Sequence, residues 1–432
     1  VAVFGSPGTA TFTTCGAGPV RGMIALGDTA YAVSGQFLYS ISSLGTAAVV
    51  GAGIGGSANV SMAENGIQVG IVNGTSGWTY TVSTATFAQI TDADFNAAST
   101  ITSIDSYFAF DWAGTNKWFL SDLLDGQSYD PILFASAESS SDFVIAVRNV
   151  YGNAGLFGER TTEFWQDTGA IDFPFQRING ATIKRGIAGA LAICEDDNSY
   201  FFLGDDRIFY RLAGSSLQRV STHAIEKEWE RYTTVSDAFC FSVPYGGHKF
   251  IHITFPTMQK TWVFDISNPL FHERTSWDAT GAEVRWRINC ALKMFNKVLL
   301  GDNSSGKIGY VDTSVYTEFG DPIITELISP IIDGKGLVGF MPEFQIDLEG
   351  GVGIATGQGS DPQIMMSYSD DGGHTWSSER WRTMGAIGRY GIRVRWTELG
   401  SFHQRIIKVR ISDPVKRVIL GARAPGLYFS EE

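Results

Sequence analysis

The sequence predicts an all-β chain, a β-propeller of six or seven blades followed by a C-terminal β-sandwich. Three observations carry this: a hairpin-like phrase recurs seven times, the recurrence stops near residue 320, and segments of period-2 alternation follow it. The phrase is an apolar run, a Gly- or Asn-containing turn, then an aromatic-bearing strand closing on Ser, Thr or Asp. Its copies occupy residues 29–41, 66–82, 106–122, 153–167, 199–212, 248–265 and 296–312. Aligned on Leu38, Trp78, Trp118, Phe164, Phe209, Trp262 and Tyr310, they lie 40, 40, 46, 45, 53 and 48 residues apart. A hairpin that cannot bury its own apolar face, repeated at about 40–50 residues, is the signature of propeller blades.

Bulk properties agree with this. The 432 residues are 44% apolar and only 18% charged, and they include 50 Gly, as many tight turns between many strands require. No run of about 18 apolar residues is present, so no membrane span is expected. The chain opens at Val1 with neither Met nor a signal-peptide pattern, which predicts a processed or partial chain. Cys15, Cys194, Cys240 and Cys290 are far apart with no CxxC pair, so free buried thiols in a reducing cytosol are expected. A net charge of −13 excludes bulk electrostatic attraction to nucleic acid or an anionic membrane.

After residue 312 the blade phrase ends and residues 318–321 read as a link, giving a propeller domain over 1–320 and a sandwich over 321–432. Residues 339–351, 362–369, 390–399 and 404–414 alternate with period two. In the last of these, Ile406, Lys408, Arg410 and Ser412 form a wet face and Ile407, Val409 and Ile411 a dry one. One helix is expected, over residues 222–233, with Thr222 as its cap and Ile225 and Trp229 on its apolar side.

Several clusters invite a chemical reading. The run GAGIGG, residues 51–56, has dinucleotide-loop spacing, but a strand follows too soon for the required helix, so a flexible inter-strand loop is expected. His248 and His252 sit on a strand, roughly 13 Å apart, too far to share one metal. The carboxylates of residues 195–197, 205–206 and 370–371 fall in turns. Glu226, Glu228 and Glu230 line the helix, where a solvated face is the default. No catalytic residue, cofactor or metal is assigned.

Ser369, Asp371, Gly373, Thr375 and Trp376 have the spacing of an Asp-box, a self-capped hairpin in which Asp371 accepts backbone amides, Gly373 supplies a positive φ and Trp376 packs beneath. The motif occurs in sialidases, and it leaves a glycan-binding or sialidase-like propeller as the alternative reading. A single copy outside the repeats weighs against that.

The stretch 164–232 carries FWQDTGA, IKRGIAGALAI and QRVSTHAIEKEWERY. GSPGTATF and VRGMIALGDTAYAVSGQFLYSI precede it, and MMSYSDDGGHTWS and RVRWTELGSFHQRIIKVRISDP follow. In this order the chain resembles the tail hub, or nozzle, proteins of short-tailed phages, also called packaged-DNA stabilisation proteins. The family's N-terminal lead-in is expected to be missing before Val1. The resemblance implies a non-enzymatic virion protein assembled in the bacterial host cytoplasm as a ring of six copies in the tail. That ring would extend the DNA channel below the portal and its adaptor ring, retain packaged DNA and attach tailspikes, fibres or a needle. Double-stranded DNA would pass without sequence-specific binding, and the protein would make no stable membrane insertion. Negative charge suits such a channel, because Lys and Arg contacts to phosphate add affinity and drag. The basic residues Arg389, Arg393, Arg395, Arg405, Lys408 and Arg410 are then expected to face neighbouring proteins or solvent, with Arg393, Arg395, Lys408 and Arg410 as an interface stripe or a merely solvated edge.

Overall fold

The computed structural model describes residues 2–138, 140, 142–170, 172–214, 216–278 and 280–431. It resolves into two compact units: one of Thr11–Tyr310, the other of Val1–Ala10 with Val311–Glu432. Residues 1–10 and 311–320, assigned from sequence to the propeller domain, therefore group with the second module.

The first unit is a propeller with seven blades among the described residues. Six of them are four-stranded antiparallel meanders. Blade 1 runs from its inner strand Val20–Leu26 through Thr29–Ser34 and Phe37–Ile41 to Ala47–Ala52. Blades 2 to 6 occupy residues 61–89, 101–136, 144–177, 193–219 and 239–273. All seven anchor residues of the repeat fall on the third strand of a blade, because the recurring phrase is the hairpin of the second and third strands. Blade 7 is built differently. Its inner three strands are Ile288–Met294, Lys297–Asp302 and Lys307–Asp312, and its fourth is the N-terminal strand Gly8–Thr14.

No single blade can bury its two apolar faces, so the core lies between blades. Leu38, Ile71 and Trp78 pack blades 1 and 2 together, and Phe108, Phe110 and Phe119 belong to the cluster of blades 2 and 3. Trp118 of blade 3 meets Trp165, Phe173 and Phe175 of blade 4 with ring centroids 5.7, 5.3 and 5.4 Å away. Fully burying one such aromatic contributes about 1.5–3 kcal/mol, so these seams hold the ring together.

The connection from blade 5 to blade 6 contains the helix His223–Trp229, which buries Ile225 and Trp229. Thr222 occupies the cap position with extended backbone, but its hydroxyl makes no capping bond; its carbonyl receives the Ile225 and Glu226 amides at 3.1 and 3.0 Å instead. Glu226 departs from the expected solvated face. It is buried, bonded to the Arg219 guanidinium and to Ser221 Oγ at 2.6 Å, because the helix turns it toward the outer strand of blade 5. Residues 51–56 also differ from expectation. Gly53 and Gly56 adopt φ of +91° and +79°, and the turn they permit wraps the buried Arg21. That guanidinium donates to the carbonyls of Ala58, Gly35, Gly55 and Ile54 at 2.6, 2.9, 2.9 and 3.2 Å, so the loop is anchored rather than flexible.

Inside blade 6, His252 is 1% exposed and stacks 5.2 Å from Phe241 and 4.6 Å from Trp286, and its Nδ1 has no hydrogen-bond partner. Burial, reinforced by the charge of Arg274, holds its pKa well below the ordinary value. The sign follows from linkage. Stability at this site is complete above the unfolded pKa of about 6.5 and is lost as pH falls, because only the unfolded chain takes up the proton. His252→Phe keeps the stacking and removes the proton site. Between pH 7 and pH 5.5 the wild type is expected to lose up to about 1.4 kcal/mol per pH unit below 6.5 more than the variant. Parallel melting-temperature profiles for the two proteins would refute it.

The second unit is a sandwich. One sheet has the order Val3–Phe4, Val418–Arg423, Glu343–Leu348, Val394–Thr397. The other has Thr325–Ile328, Gln404–Ile411, Gln363–Ser369, Arg380–Thr383, with Ile332–Asp333 also pairing to Gln404–Ile411. Phe344, Ile346, Val394 and Trp396 from the first meet Ile364, Met366, Ile407, Val409 and Ile411 from the second. The dry face read at Ile407, Val409 and Ile411 is thus placed correctly, whereas Gln363–Ser369 does not alternate: Ile364, Met365, Met366 and Ser367 are all buried.

Charge divides the propeller. Residues 22–147, which hold almost all of blades 1 to 3, contain eleven Asp and Glu against Lys117 alone, whereas residues 148–310 are balanced at 18 acids and 18 bases. The propeller's excess of negative charge therefore belongs to three blades.

Candidate functional site

The acidic clusters named from sequence are each held by structural partners. At the end of the blade 5 inner strand, Asp196 accepts from Ser242 Oγ and lies 3.3 Å from Lys249 Nζ and 3.8 Å from Lys293 Nζ, while Asp197 meets Lys249 at 2.9 Å and Arg211 at 3.0 Å. Burial works against the charge of Asp196, but these bonds and the Asp197 amide keep its carboxyl below the usual range. This network ties blades 5, 6 and 7. Asp206 accepts from Tyr210 Oη at 2.7 Å and pairs with Arg185 at 3.2 Å, and Asp205 receives the Gly186 amide at 3.0 Å. His248 and His252 lie on one strand, His248–Phe255, yet His248 pairs with Asp265 at 2.7 Å while His252 sits among rings. Among the described residues, no three His, Cys, Asp or Glu converge to hold a metal.

In the sandwich, the hairpin after Gln363–Ser369 is self-capped. Asp371 Oδ1 accepts from Ser369 Oγ at 2.7 Å and from the Thr375 amide at 2.9 Å, and its Oδ2 accepts from Thr375 Oγ1 at 2.6 Å. Ser369 Oγ also receives the Gly373 amide at 2.8 Å, and Gly373 has φ of +96°. The Thr375 hydroxyl and amide, then Ser369, hold the Asp371 carboxyl well below the ordinary carboxylate range. Trp376 lies against Gly373 and carries Lys408 Nζ 4.0 Å over its ring.

The six basic residues separate in the structure. Arg389, Arg393 and Arg395 are exposed; Arg393 precedes the strand Val394–Thr397, and Arg395 lies within it. Lys408 and Arg410 are half-buried, and Arg410 pairs with Glu326 at 2.9 Å and Glu379 at 3.3 Å. Arg405 does not face solvent. It shares the dry face with Ile407 and Val409, forms paired bonds of 2.7 Å to both oxygens of Asp370, and donates to the Leu399 carbonyl at 2.7 Å. Tyr368 and Phe402 flank it at 4.3 and 4.4 Å, so its apolar stem and planar head both find partners. Asp370, the first Asp of the turn, thus anchors the hairpin to the neighbouring strand.

Sequence reasoning passed over three arginines of the propeller centre: Arg21, Arg148 and Arg285. The signal was present, since Arg21 and Arg148 are the lone charges in the inner strands VRGMIAL and VIAVRNV.

Solved structures share the propeller only loosely. The Cps50 (Swd1) β-propeller domain of Myceliophteria thermophila overlays with a TM-score of 0.46 at 9% identity, over 70% of this chain and 98% of that one. The extracellular domain of the putative hybrid two-component system BT4673 of B. thetaiotaomicron gives 0.47 at 10% identity, over 80% of this chain and 45% of that one. Neither overlay bears on function. Seven blades, a sandwich and carboxylates bound into turns and ion pairs define a structural β protein of two modules. The family described as bacteriophage P22 Gp10, beta-propeller, matches residues 3–316, and that described as P22 Gp10, beta-sandwich, matches residues 324–426. This chain belongs to that family of short-tailed-phage tail hub proteins and is a structural component of the virion tail. The tail hub protein gp10 of Salmonella phage P22 is 23% identical over 334 residues, which span 74% of this chain and 68% of that protein.

Proposed function

We propose that six copies of this chain form a ring in the short tail, below the portal and its adaptor ring. The ring extends the DNA channel, closes it to retain packaged DNA, carries tailspikes, fibres or a needle, and has no enzymatic activity. The observation that carries this reading is the match to both modules of a tail hub in their chain order. The charge pattern supports it. A duplex slides past a wall without basic contacts, and residues 22–147 offer eleven acids against one Lys for such a wall. The Asp371 carboxylate is engaged by Ser369 and Thr375, which leaves the Asp-box as a fold device rather than a sugar site.

Within this reading, exposed Arg393 and Arg395 face acidic partners in the tail, whereas Lys408 and Arg410 are already engaged within the chain. Reversing both exposed charges, Arg393→Glu with Arg395→Glu, is expected to leave folding intact and to reduce assembly onto a portal–adaptor complex at least tenfold, a loss of about 1.4 kcal/mol or more. Mass measurement of the complex with the wild-type chain counts the copies. Normal assembly of the double variant removes the interface role, and a copy number other than six removes the hexamer.

A further inference from the structure

The inner strands of the propeller enclose a cavity of about 250 Å³ lined by Met23, Ser61, Met62, Arg148, Phe241 and Asn289, among others. Apart from Arg21, Arg148 is the charged residue of this lining. The two guanidinium groups differ in how they are satisfied. Arg21 is matched by four carbonyls at 2.6 to 3.2 Å. Arg148 makes two long contacts, to Ser61 Oγ at 3.4 Å and to the Ala190 carbonyl at 3.2 Å, and forms no ion pair among the described residues. A guanidinium has five N–H donors, and bonds to an anion are ordinarily about 2.7–2.9 Å long, so most of its capacity is unused. The side chain is half-buried, and desolvation draws its pKa down to about 10, with Asp111 and Cys194 opposing. Asp111 acts from a distance, its oxygens bound to Thr100 and to the Ser99 amide.

Arg285 lines an adjoining cavity of about 440 Å³ and donates to Asn289 Oδ1 at 2.9 Å; Asn289 lines both cavities. Met23, Met62 and Phe241 keep the wall of the inner cavity apolar, which strengthens any charge interaction made there.

We propose that the propeller centre binds a small oxyanion of phosphate size, held by Arg148 and by the Ser61 hydroxyl, which turns to it from a long 3.4 Å contact with the Ile101 carbonyl while still accepting the Ile101 amide at 3.1 Å. The anion supplies the short acceptors that Arg148 lacks, and the cavity is large enough for it and a few waters. A duplex is too large for this space, so the ligand is a free ion rather than a DNA backbone.

The probe is inorganic phosphate against chloride at equal ionic strength, with the full chain. At a phosphate concentration one hundredfold above its Kd, the melting temperature is expected to rise by about 5 °C over the chloride value. Arg148→Met is expected to abolish the difference, and Arg148→Lys to retain a weaker one. Should Arg148→Met fail to fold, Ser61→Ala is expected to weaken phosphate binding severalfold. Crystals of the wild type soaked in selenate are expected to show anomalous density beside Arg148. No phosphate effect beyond chloride, an undiminished effect in the Arg148 variants, or selenate bound only elsewhere would each overturn the proposal.

Discussion

Removing residues 1–14 is expected to abolish cooperative melting of the propeller, whereas removing residues 1–7 is expected to spare it. Thr11–Thr14 belong to the outer strand of blade 7, beside Lys307–Asp312, and the Cys15 amide continues the attachment by donating to the Gly306 carbonyl at 2.7 Å. Phe12 packs 6.0 Å from Phe295 and 6.5 Å from Tyr310. Without this strand, blade 7 presents a row of unpaired N–H and C=O groups, and the first and last blades lose part of the seam around Val20, Ala32, Leu299 and Ile308. Phe12, which is half-buried, alone accounts for about 1 kcal/mol. Loss of the whole strand removes a large share of the roughly 5–15 kcal/mol by which a domain is stable. The shorter deletion removes the edge strand Val3–Phe4 from the sandwich sheet and the Gly5 and Ser6 backbone contacts with Arg417, and it leaves the blade 7 strand in place. Thermal melts by circular dichroism, with limited proteolysis of the propeller, separate the two. A 1–14 deletion that melts as sharply and as late as the wild type would show that the ring does not depend on its N-terminal strand.

The second large effect is expected at the hairpin anchor, and it should be asymmetric. Arg405 is 1% exposed while the Asp370 side chain is 39% exposed. Asp370→Asn strands a buried cation, and breaking a buried pair in this way costs about 3–5 kcal/mol. Asp370 lies part-way into solvent, so the lower end, about 3 kcal/mol, is expected. Arg405→Met removes the buried charge and keeps much of the stem between Tyr368 and Phe402, leaving a carboxylate that water can reach. Its cost is expected to be about half as large. Asp371→Ala, at a fully exposed group, should disturb the turn less than Asp370→Asn. Denaturant melts of the three variants test the order. If Arg405→Met proves the most damaging, packing of the guanidinium rather than its charge sets the stability.

Local patterns made much of this molecule legible. Third-strand residues such as Trp78, Trp118 and Trp262 stand out because each is an aromatic residue two or three positions into the strand that follows a turn. The dry face of Ile407, Val409 and Ile411 follows from period two alone. What stayed hidden depends on partners distant in sequence. The strand Gly8–Thr14 has no local feature marking it as the end of blade 7, since its pairing closes a loop of about three hundred residues. Arg405 lies in register with Ile407 and Val409, so alternation placed it on the dry face, yet the default for a charged residue is the wet one. Its environment depends on Asp370, which sits in the turn just after the adjacent strand. Glu226 is hidden for a different reason: its partners Arg219 and Ser221 are near in sequence, but they meet it only because the chain turns from blade 5 into the helix.

The cavity at the propeller centre has a bearing on gauge. At about 250 Å³ it holds about eight waters at roughly 30 Å³ each, and a duplex does not fit. In a ring built as proposed, the aperture therefore belongs to no single chain; its calibre is an integer property, set by how many copies close the circle. Substitutions at Met62, Phe241 or Arg148 can retune the interior of one subunit without altering conductance of the genome, and variation in the two is free to proceed independently.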